Sequence, residues 1–127
     1  MRTPQSLLYT PEHIWTRLIA DDIWEAGVTD YAQDLLGDIV FIDAPAVGSK
    51  LAAGQPCGLI ESVKTGSDLH APANGEVIEV NTNLADTPEQ VNDDPYKAWL
   101  FRYKAQDADI ENKLLSAEAY QALINAL

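Results

Sequence analysis

Residues 57–71, C-G-L-I-E-S-V-K-T-G-S-D-L-H-A, hold two strand-like runs on either side of a short polar turn. Residues 57–63 have the apolar composition of a buried strand, and residues 67–71 return as a second strand. The glycine-containing turn at residues 64–66 fits between them. The stretch therefore predicts a β-hairpin that carries Lys64 exposed at its tip.

Strand patterns continue on both sides of this hairpin. Further strands are predicted at residues 14–19, 23–28, 37–43, 75–80 and 99–104, with room for one short strand within 47–56. The segment G-D-I-V-F-I at 37–42 resembles G-E-V-I-E-V at 75–80, and Lys64 lies between these copies. Two related half-sandwiches joined by the lysine hairpin would produce this repeat, which is too short to decide the fold alone.

A first helix is predicted directly after the strand at 23–28. Thr29 is suited to cap its N-terminus, and Gly37 is suited to its C-terminal exit. We expect the apolar side chains of this helix to face the core, namely Tyr31, Leu35 and Leu36.

Two more helices are predicted in the C-terminal third of the chain. Thr87 and Gln90 have the spacing of a capping box, and residues 107–127 predict one C-terminal helix. Together with the strands, they indicate a mainly β fold. We expect a barrel-sandwich hybrid of two small sheets, with short peripheral helices and the C-terminal helix outside.

The length and composition indicate one globular unit. The chain has 127 residues, of which 46% are hydrophobic, and we expect a single domain over residues 1–127. The one cysteine, Cys57, lies in an apolar run and is expected to be a buried core residue. No apolar stretch near the N-terminus has the length of a signal peptide, so a cytoplasmic location is expected.

The charge balance is strongly acidic. Twenty Asp and Glu residues against eight Lys and Arg give a net charge of −12. Phosphate backbones and anionic membrane surfaces repel such a chain, so we expect neither nucleic acid nor membrane as a partner. The acidity suits rapid docking on basic protein surfaces, and it suits solubility equally well.

Signals of enzyme chemistry are missing from the sequence. There is no glycine-rich phosphate loop and no nucleophile elbow. His13 and His70 are far apart and have no neighbouring cysteines, so no zinc spacing is present. We therefore expect neither a catalytic residue nor a metal site.

Lys64 is the residue that carries a functional signal. A group carrier needs a long flexible stem on a rigid backbone, and a lysine at a hairpin tip meets both needs. The acidic residues Glu61 and Asp68 flank it and are suited to orient it for a modifying enzyme. The turn alone, however, favours a solvated lysine without a role, because exposed turn lysines are common.

The wider sequence changes that balance. The string E-S-V-K-T-G-S-D at 61–68 resembles the lipoylation site of the H proteins of the glycine cleavage system, E-S-V-K-A-x-S-D. Residues 27–41 resemble that family's G-I-T-x-x-A-Q-x-x-L-G-D-I-V-F, and residues 71–77 and 91–96 also match. The resemblance runs from about Tyr9 to the C-terminal helix, which is nearly the whole chain.

This resemblance implies a lipoyl-domain-like, non-enzymatic carrier with lipoate in amide linkage on Lys64. A lipoate ligase or a lipoyl synthase system would attach the group, and the carrier would be a monomer. Biotin carriers usually flank their lysine with methionines, so the neighbours here favour lipoate. The resemblance implies recognition of the site by the modifying enzyme through Glu61, Val63, Thr65 and Asp68. It places the docking cleft for the arm at His13 and Ile14.

Three departures from the family pattern bear on the cargo. Ile14 replaces the glutamate of the family's H-E-W, so it offers no carboxylate to a protonated amine. Thr65 and Gly66 follow the lysine where the family usually starts with alanine. The segment P-Y-K-A-W at 95–99 lacks the glycine of P-Y-x-x-G-W.

These departures favour a second resemblance. The chain is similar to the H-like lipoate-binding proteins that serve a heterodisulfide-reductase-like complex in cytoplasmic sulfur oxidation, and this interpretation is preferred. The alternative is an H protein that carries the aminomethyl group between glycine decarboxylase and aminomethyltransferase, with dihydrolipoamide dehydrogenase as a further partner. Two further hypotheses are a binding module in which Lys64 stays unmodified and a lipoyl reservoir that supplies different proteins.

Overall fold

The computed structural model describes all 127 residues as two β-sheets with short helices around them. The strands are β1 Leu8–Tyr9, β2 Ile14–Ala20, β3 Ile23–Val28, β4 Ile39–Asp43, β5 Lys50–Leu51, β6 Pro56–Ser62, β7 Gly66–His70, β8 Gly75–Val80 and β9 Phe101–Ala105. The helices are α1 Asp30–Leu36, α2 Gln90–Asp93, α3 Ile110–Lys113 and α4 Ala117–Asn125, and a 3-10 turn spans Thr82–Ala85.

All strand pairs are antiparallel. The larger sheet has six strands in the order β1-β2-β3-β9-β8-β5, and the smaller sheet has three in the order β4-β6-β7. The predicted lysine hairpin is the β6–β7 pair, in which Glu61 is the register partner of Gly66. The hairpin therefore supplies two of the three strands of the smaller sheet and ends at one of its corners.

The two sheets bury one common core. Val77 and Phe101 of the larger sheet and Ile60 and Leu69 of the smaller one belong to the same cluster of buried apolar side chains. This arrangement removes the apolar faces of both sheets from water, which is the main stabilisation of such a sandwich. The prediction of a mainly β barrel-sandwich fold with short peripheral helices and a C-terminal helix is confirmed.

Alternation along β2 separates this core from a second one. Ile14 points between the sheets, whereas Trp15 points to the other face, where it packs with Tyr9, Tyr120 and Ile124. Tyr120 and Ile124 belong to α4, so this second cluster attaches the C-terminal helix to the larger sheet.

The predicted capping of the helix near residue 90 is wrong. Thr87 does not cap α2, because its hydroxyl donates to the carbonyl oxygen of Asn83 at 3.0 Å and closes the preceding 3-10 turn. The helix itself is only Gln90–Asp93. The capping-box spacing is satisfied by a short turn as well as by a helix, and local pattern does not separate the two.

The single predicted C-terminal helix is also wrong. It is divided into α3 and α4 because Leu115 pairs with Tyr9 as a strand, through two backbone hydrogen bonds of 2.8 Å. Ser116 then caps α4 by accepting a hydrogen bond from the backbone N–H of Ala119. A contact from the other end of the chain thus interrupts a segment whose local composition is helical.

Helix α1 agrees with the prediction at its ends but not on every face. The Thr29 side chain accepts a hydrogen bond from the Ala32 N–H, and Gly37 ends the helix. Leu36 is buried as expected, whereas Leu35 is 56% exposed, which corrects its expected place in the core. No helix in the structure has the length and apolar character needed to cross a membrane.

Candidate functional site

The tip of the β6–β7 hairpin is held by the side chain of Ser62. Its hydroxyl oxygen accepts hydrogen bonds from the backbone N–H groups of Lys64 and Thr65, both at 3.1 Å. The backbone N–H of Ser62 donates to the carbonyl oxygen of Thr65 at 2.8 Å. Because Ser62 is 9% exposed, these bonds are partly shielded from water and fix the backbone below an exposed lysine.

The hairpin is also tied to the loop between α1 and β4. Val63 donates its backbone N–H to the carbonyl oxygen of Asp38 at 3.0 Å. Asn92 holds that loop from below, since its side chain accepts from the Ile39 N–H and donates to the Gly37 carbonyl oxygen, both at 2.8 Å. The backbone around the lysine is therefore rigid although its side chain is free.

Gly37 forms the surface over which the Lys64 side chain passes. A Cβ atom built on Gly37 would lie 3.0 Å from Cε of Lys64 and 3.6 Å from its Nζ. Gly37 also has φ 83° and ψ −153°, a backbone region that is essentially restricted to glycine. Sequence reasoning identifies Gly37 as a helix end and as the start of a strand-like repeat, and it misses the role of Gly37 beside the lysine.

The predicted recognition residues lie around this tip. Val63 and Thr65 flank the lysine in the turn, and Val63 is 68% exposed. Glu61 on β6 is half-buried and Asp68 on β7 is exposed. These residues lie in the turn and on the two strands of the lysine hairpin, and their recognition by a modifying enzyme stays a prediction.

The departure at Gly66 has little steric weight. A Cβ on Gly66 would make only ordinary contacts, the nearest at 3.5 Å to Cγ of Glu61, and no positive φ is required there. An alanine would fit the same backbone. A glycine at position 66 is therefore not required by the shape of the hairpin.

A small cleft of about 110 Å³ opens beside the hairpin. It is mostly apolar, and its walls come from the turn before β2, from α1 and from the hairpin strands. Its lining residues are Glu12, His13, Ile14, Val28, Ala32, Leu35, Leu36, Ile60, Ser67, Asp68 and Leu69. His13 and Ile14, which the resemblance assigns to arm docking, both line it, and docking there stays a prediction.

Two carboxylates line this cleft although Ile14 provides none. Ile14 is 2% exposed and belongs to the core between the sheets. Glu12 and Asp68, by contrast, are exposed residues of the cleft lining. Sequence reasoning considers a carboxylate only at position 14 and misses Glu12, two residues earlier. The available signal is the turn before β2, which contains Glu12.

His13 is held by the C-terminal helix. Its Nδ1 lies 2.7 Å from the hydroxyl oxygen of Tyr120, which in turn lies 2.8 Å from the hydroxyl oxygen of Thr29. His13 has φ 69°, an uncommon left-handed conformation for a residue other than glycine. Burial lowers the pKa of His13 below its ordinary value, which favours the neutral ring.

The shortened segment at residues 95–99 lies away from this cleft. None of its residues lines the cleft. Tyr96 packs with Trp15 at a ring-centroid distance of 6.2 Å, and Trp99 lies under the guanidinium group of Arg102. The missing glycine therefore lies outside the cleft that the resemblance assigns to arm docking.

The other reactive groups form no second site. Cys57 is half-buried, packs against the core, and has its pKa raised by burial to about 11. No group of three or more His, Cys, Asp or Glu side chains converges to hold a metal ion. The functional side chains that the structure groups beside the lysine hairpin are those that line the cleft.

The model of the family described as "Glycine cleavage H-protein" matches residues 7–126. The chain belongs to this family. Glycine cleavage H-proteins are non-catalytic lipoyl carriers, so the expectation that this chain is a carrier and not an enzyme is confirmed. The family resemblance stated from the sequence is likewise confirmed.

Individual H-proteins match over almost their whole length. The chain is 55% identical to the glycine cleavage system H protein of Methylobacillus flagellatus over 124 residues, with 98% of this chain and 99% of that protein covered. It is 50% identical to glycine cleavage system H protein 2 of Pseudomonas aeruginosa, covering 97% and 95% of the two chains. The crystal structure of an H protein from Mycobacterium marinum has a TM-score of 0.87 at 38% identity, covering 98% and 99%.

Proposed function

We propose that this chain is the H protein of a glycine cleavage system and that it carries lipoate in amide linkage on Lys64. The observation that supports this most is the family match over residues 7–126, with Lys64 at the tip of a hairpin beside an apolar cleft. Its partners would be glycine decarboxylase, aminomethyltransferase and dihydrolipoamide dehydrogenase. A lipoate ligase or a lipoyl synthase system would modify it.

The residues around Lys64 fit such a group. When bound, lipoate would supply a dithiolane disulfide, one sulfur of which takes the aminomethyl group while the other is reduced to a thiol. Gly37 leaves the space that the lysine stem crosses, and Ser62 fixes the backbone at the anchor. The apolar walls of the cleft suit the hydrocarbon part of the arm, and Glu12 and Asp68 suit a protonated amine.

The interpretation as a sulfur-oxidation carrier has lost its main argument. It depended on the absence of a carboxylate at position 14. Glu12 and Asp68 line the same cleft, so acidic groups are available to a cationic cargo without a glutamate there. The comparisons name glycine cleavage H proteins and give the heterodisulfide-reductase-like partner no support.

Attachment to Lys64 is tested by intact mass after incubation with a lipoate ligase, ATP and lipoate. We expect one lipoyl group on the wild type and none on Lys64→Arg, which keeps the charge. Lys97→Arg is the matched control, since Lys97 is also exposed but lies outside the hairpin. Modification of Lys64→Arg would overturn the assignment of the site.

The cargo is tested by incubating the lipoylated protein, with its dithiolane in the oxidised disulfide form, with glycine and glycine decarboxylase and measuring mass again. We expect the wild type to gain one aminomethyl group. Glu12→Gln should load more weakly. The wild type should load without the Ile14→Glu substitution. A wild type that stays unloaded while Ile14→Glu loads would contradict the proposed cargo.

A further inference from the structure

We infer that Tyr120 is a positioning residue that holds His13 in the cleft as a neutral ring with its proton on Nε2. The inference deepens the proposed function and rests on it, because the cleft matters only if a lipoyl arm docks there. Tyr120 lies on α4, outside the sandwich, and does not line the cleft itself. It acts on the arm only through His13.

The direction of the hydrogen-bond chain follows from counting protons. Thr29 is fully buried, and its hydroxyl oxygen already accepts the Ala32 N–H at 3.2 Å. The hydroxyl proton of Thr29 has one acceptor, the Tyr120 oxygen at 2.8 Å. Tyr120 must then donate its own proton to Nδ1 of His13 at 2.7 Å. The reverse direction would leave the buried Thr29 proton without an acceptor, which costs free energy.

The proton of the neutral ring is therefore on Nε2. This nitrogen makes no hydrogen bond within the chain, so its N–H is free to donate to a sulfur atom or the amide carbonyl of a docked arm. A neutral ring also avoids repelling a protonated amine, which a charged imidazolium would do. Burial lowers the pKa of His13, and burial raises the pKa of Tyr120 to about 12, so both groups keep these protonation states at neutral pH.

The surroundings of His13 are consistent with this role. The titratable groups that face it are Glu12 of its own turn, Tyr31 of α1, Asp68 of β7 and Tyr120 of α4. The Tyr31 ring lies 4.8 Å from the imidazole, centroid to centroid. The positive φ of His13 is fixed in addition by its backbone, which donates to the Thr10 carbonyl at 3.1 Å and accepts from the Thr29 N–H at 3.1 Å.

The first test is the nitrogen NMR spectrum of His13 in the whole protein, which needs neither lipoate nor a partner enzyme. We expect the wild type at neutral pH to show a protonated Nε2 and an unprotonated Nδ1. In Tyr120→Phe both tautomers should appear, and the pKa of His13 should rise. Tyr9→Phe is the matched control, because Tyr9 stacks on Tyr120 at 4.7 Å but donates to the carbonyl of Pro4. A wild-type ring with its proton on Nδ1, or a charged ring, would overturn the inference.

The second test measures the arm without glycine decarboxylase. A reduced lipoyl thiol reacts with formaldehyde and ammonium to give a thioether-linked aminomethyl group and water, with no change of oxidation state overall. We expect this group to be lost by hydrolysis about 3- to 10-fold faster in Tyr120→Phe than in the wild type, the equivalent of one hydrogen bond. Tyr9→Phe should match the wild type.

The two tests separate this inference from the proposed function. Equal hydrolysis rates in the wild type and Tyr120→Phe would refute the role of Tyr120 in holding the arm. Failure of glycine decarboxylase to load the wild type would instead count against the proposed function, and the chemically loaded protein would still decide the role of Tyr120.

Discussion

The backbone N–H of Val63 donates a hydrogen bond of 3.0 Å to the carbonyl oxygen of Asp38, and this bond joins the lysine hairpin to the loop between α1 and β4. The same loop contains Gly37, which the Lys64 side chain crosses. The anchor of a mobile arm is thus built on two segments that are distant in sequence. Substitutions in the loop should therefore affect the lysine without touching the hairpin itself.

Gly37→Ala should lower stability and also slow lipoylation. The backbone of Gly37 has φ 83° and ψ −153°, so an alanine costs about 1–3 kcal/mol there. Its Cβ would also lie 3.0 Å from Cε of Lys64 and force the side chain to move. Urea unfolding measures the first effect, and the rate of lipoyl transfer followed by mass measures the second.

Gly54→Ala is the control for this substitution. Gly54 also has a positive φ, 80°, but a Cβ there meets no atom within 4 Å. We expect it to lose stability and to be lipoylated at the wild-type rate. Equal lipoylation of the folded Gly37→Ala protein and the wild type would show that the lysine stem does not depend on Gly37.

Asn92→Asp should weaken the loop between α1 and β4, which the Asn92 side chain holds by hydrogen bonds. The Asn92 amide group donates to the Gly37 carbonyl oxygen at 2.8 Å and to the side-chain oxygen of Gln33 at 3.0 Å. A carboxylate at this position has no N–H to donate, so it would place its own lone pairs against the oxygens of Gly37 and Gln33. We expect a loss of about 1–3 kcal/mol in the free energy of unfolding, measured in urea, because two acceptors lose their donors.

A comparison with Asn92→Ala tests which part of the side chain matters. The alanine variant also removes the bond that the Asn92 oxygen accepts from the Ile39 N–H. We expect it to be at least as unstable as the aspartate variant. If the aspartate variant were as stable as the wild type, the amide donors would not support the loop.

Much of the fold was predictable because strands carry local signals. The predicted strands at 14–19, 23–28 and 75–80 correspond to β2, β3 and β8 within one residue at each end. Alternation of apolar residues fixes such strands, since the two faces of a sheet meet different surroundings. The lysine at a hairpin tip followed from the same local patterns.

The parts that sequence did not predict depend on contacts between distant segments. The break between α3 and α4 requires Leu115 to pair with Tyr9, more than 100 residues away. Glu12 lines the cleft because the turn before β2 lies beside α1 and β7. The strand pairing has no local signature, and the turn before β2 does not by itself show which surface Glu12 reaches.

The larger sheet contains a buried carboxylate whose loss should be costly. Glu25 is 1% exposed, and its carboxylate oxygens accept hydrogen bonds from the side chains of Arg17 and Arg102, each at 2.9 Å from Nε. We expect Glu25→Gln to lower the free energy of unfolding by about 1–3 kcal/mol, because Arg17 loses its carboxylate partner and Arg102 keeps only Glu79. Urea unfolding at low salt measures this change.

Glu76→Gln is the matched control on the same sheet. Glu76 pairs with Lys50 at 2.7 Å, but both side chains are well exposed. Water and salt screen such a pair, so the variant should unfold like the wild type. A Glu25→Gln protein that is as stable as Glu76→Gln would mean that burial adds nothing to the Arg17 and Arg102 contacts.

The lowered pKa of His13 predicts a loss of stability in mild acid. In the unfolded chain the imidazole has its ordinary pKa, near 6.5, whereas burial lowers the pKa in the folded protein. As the pH falls below about 6.5, His13 binds a proton more readily in the unfolded chain than in the folded chain, so unfolding becomes more favourable. His13→Asn should show a smaller loss between about pH 7 and pH 5, and asparagine tolerates the positive φ of 69° at this position. Urea unfolding of both proteins at each pH measures the difference, and identical losses would show that His13 does not titrate differently in the folded state.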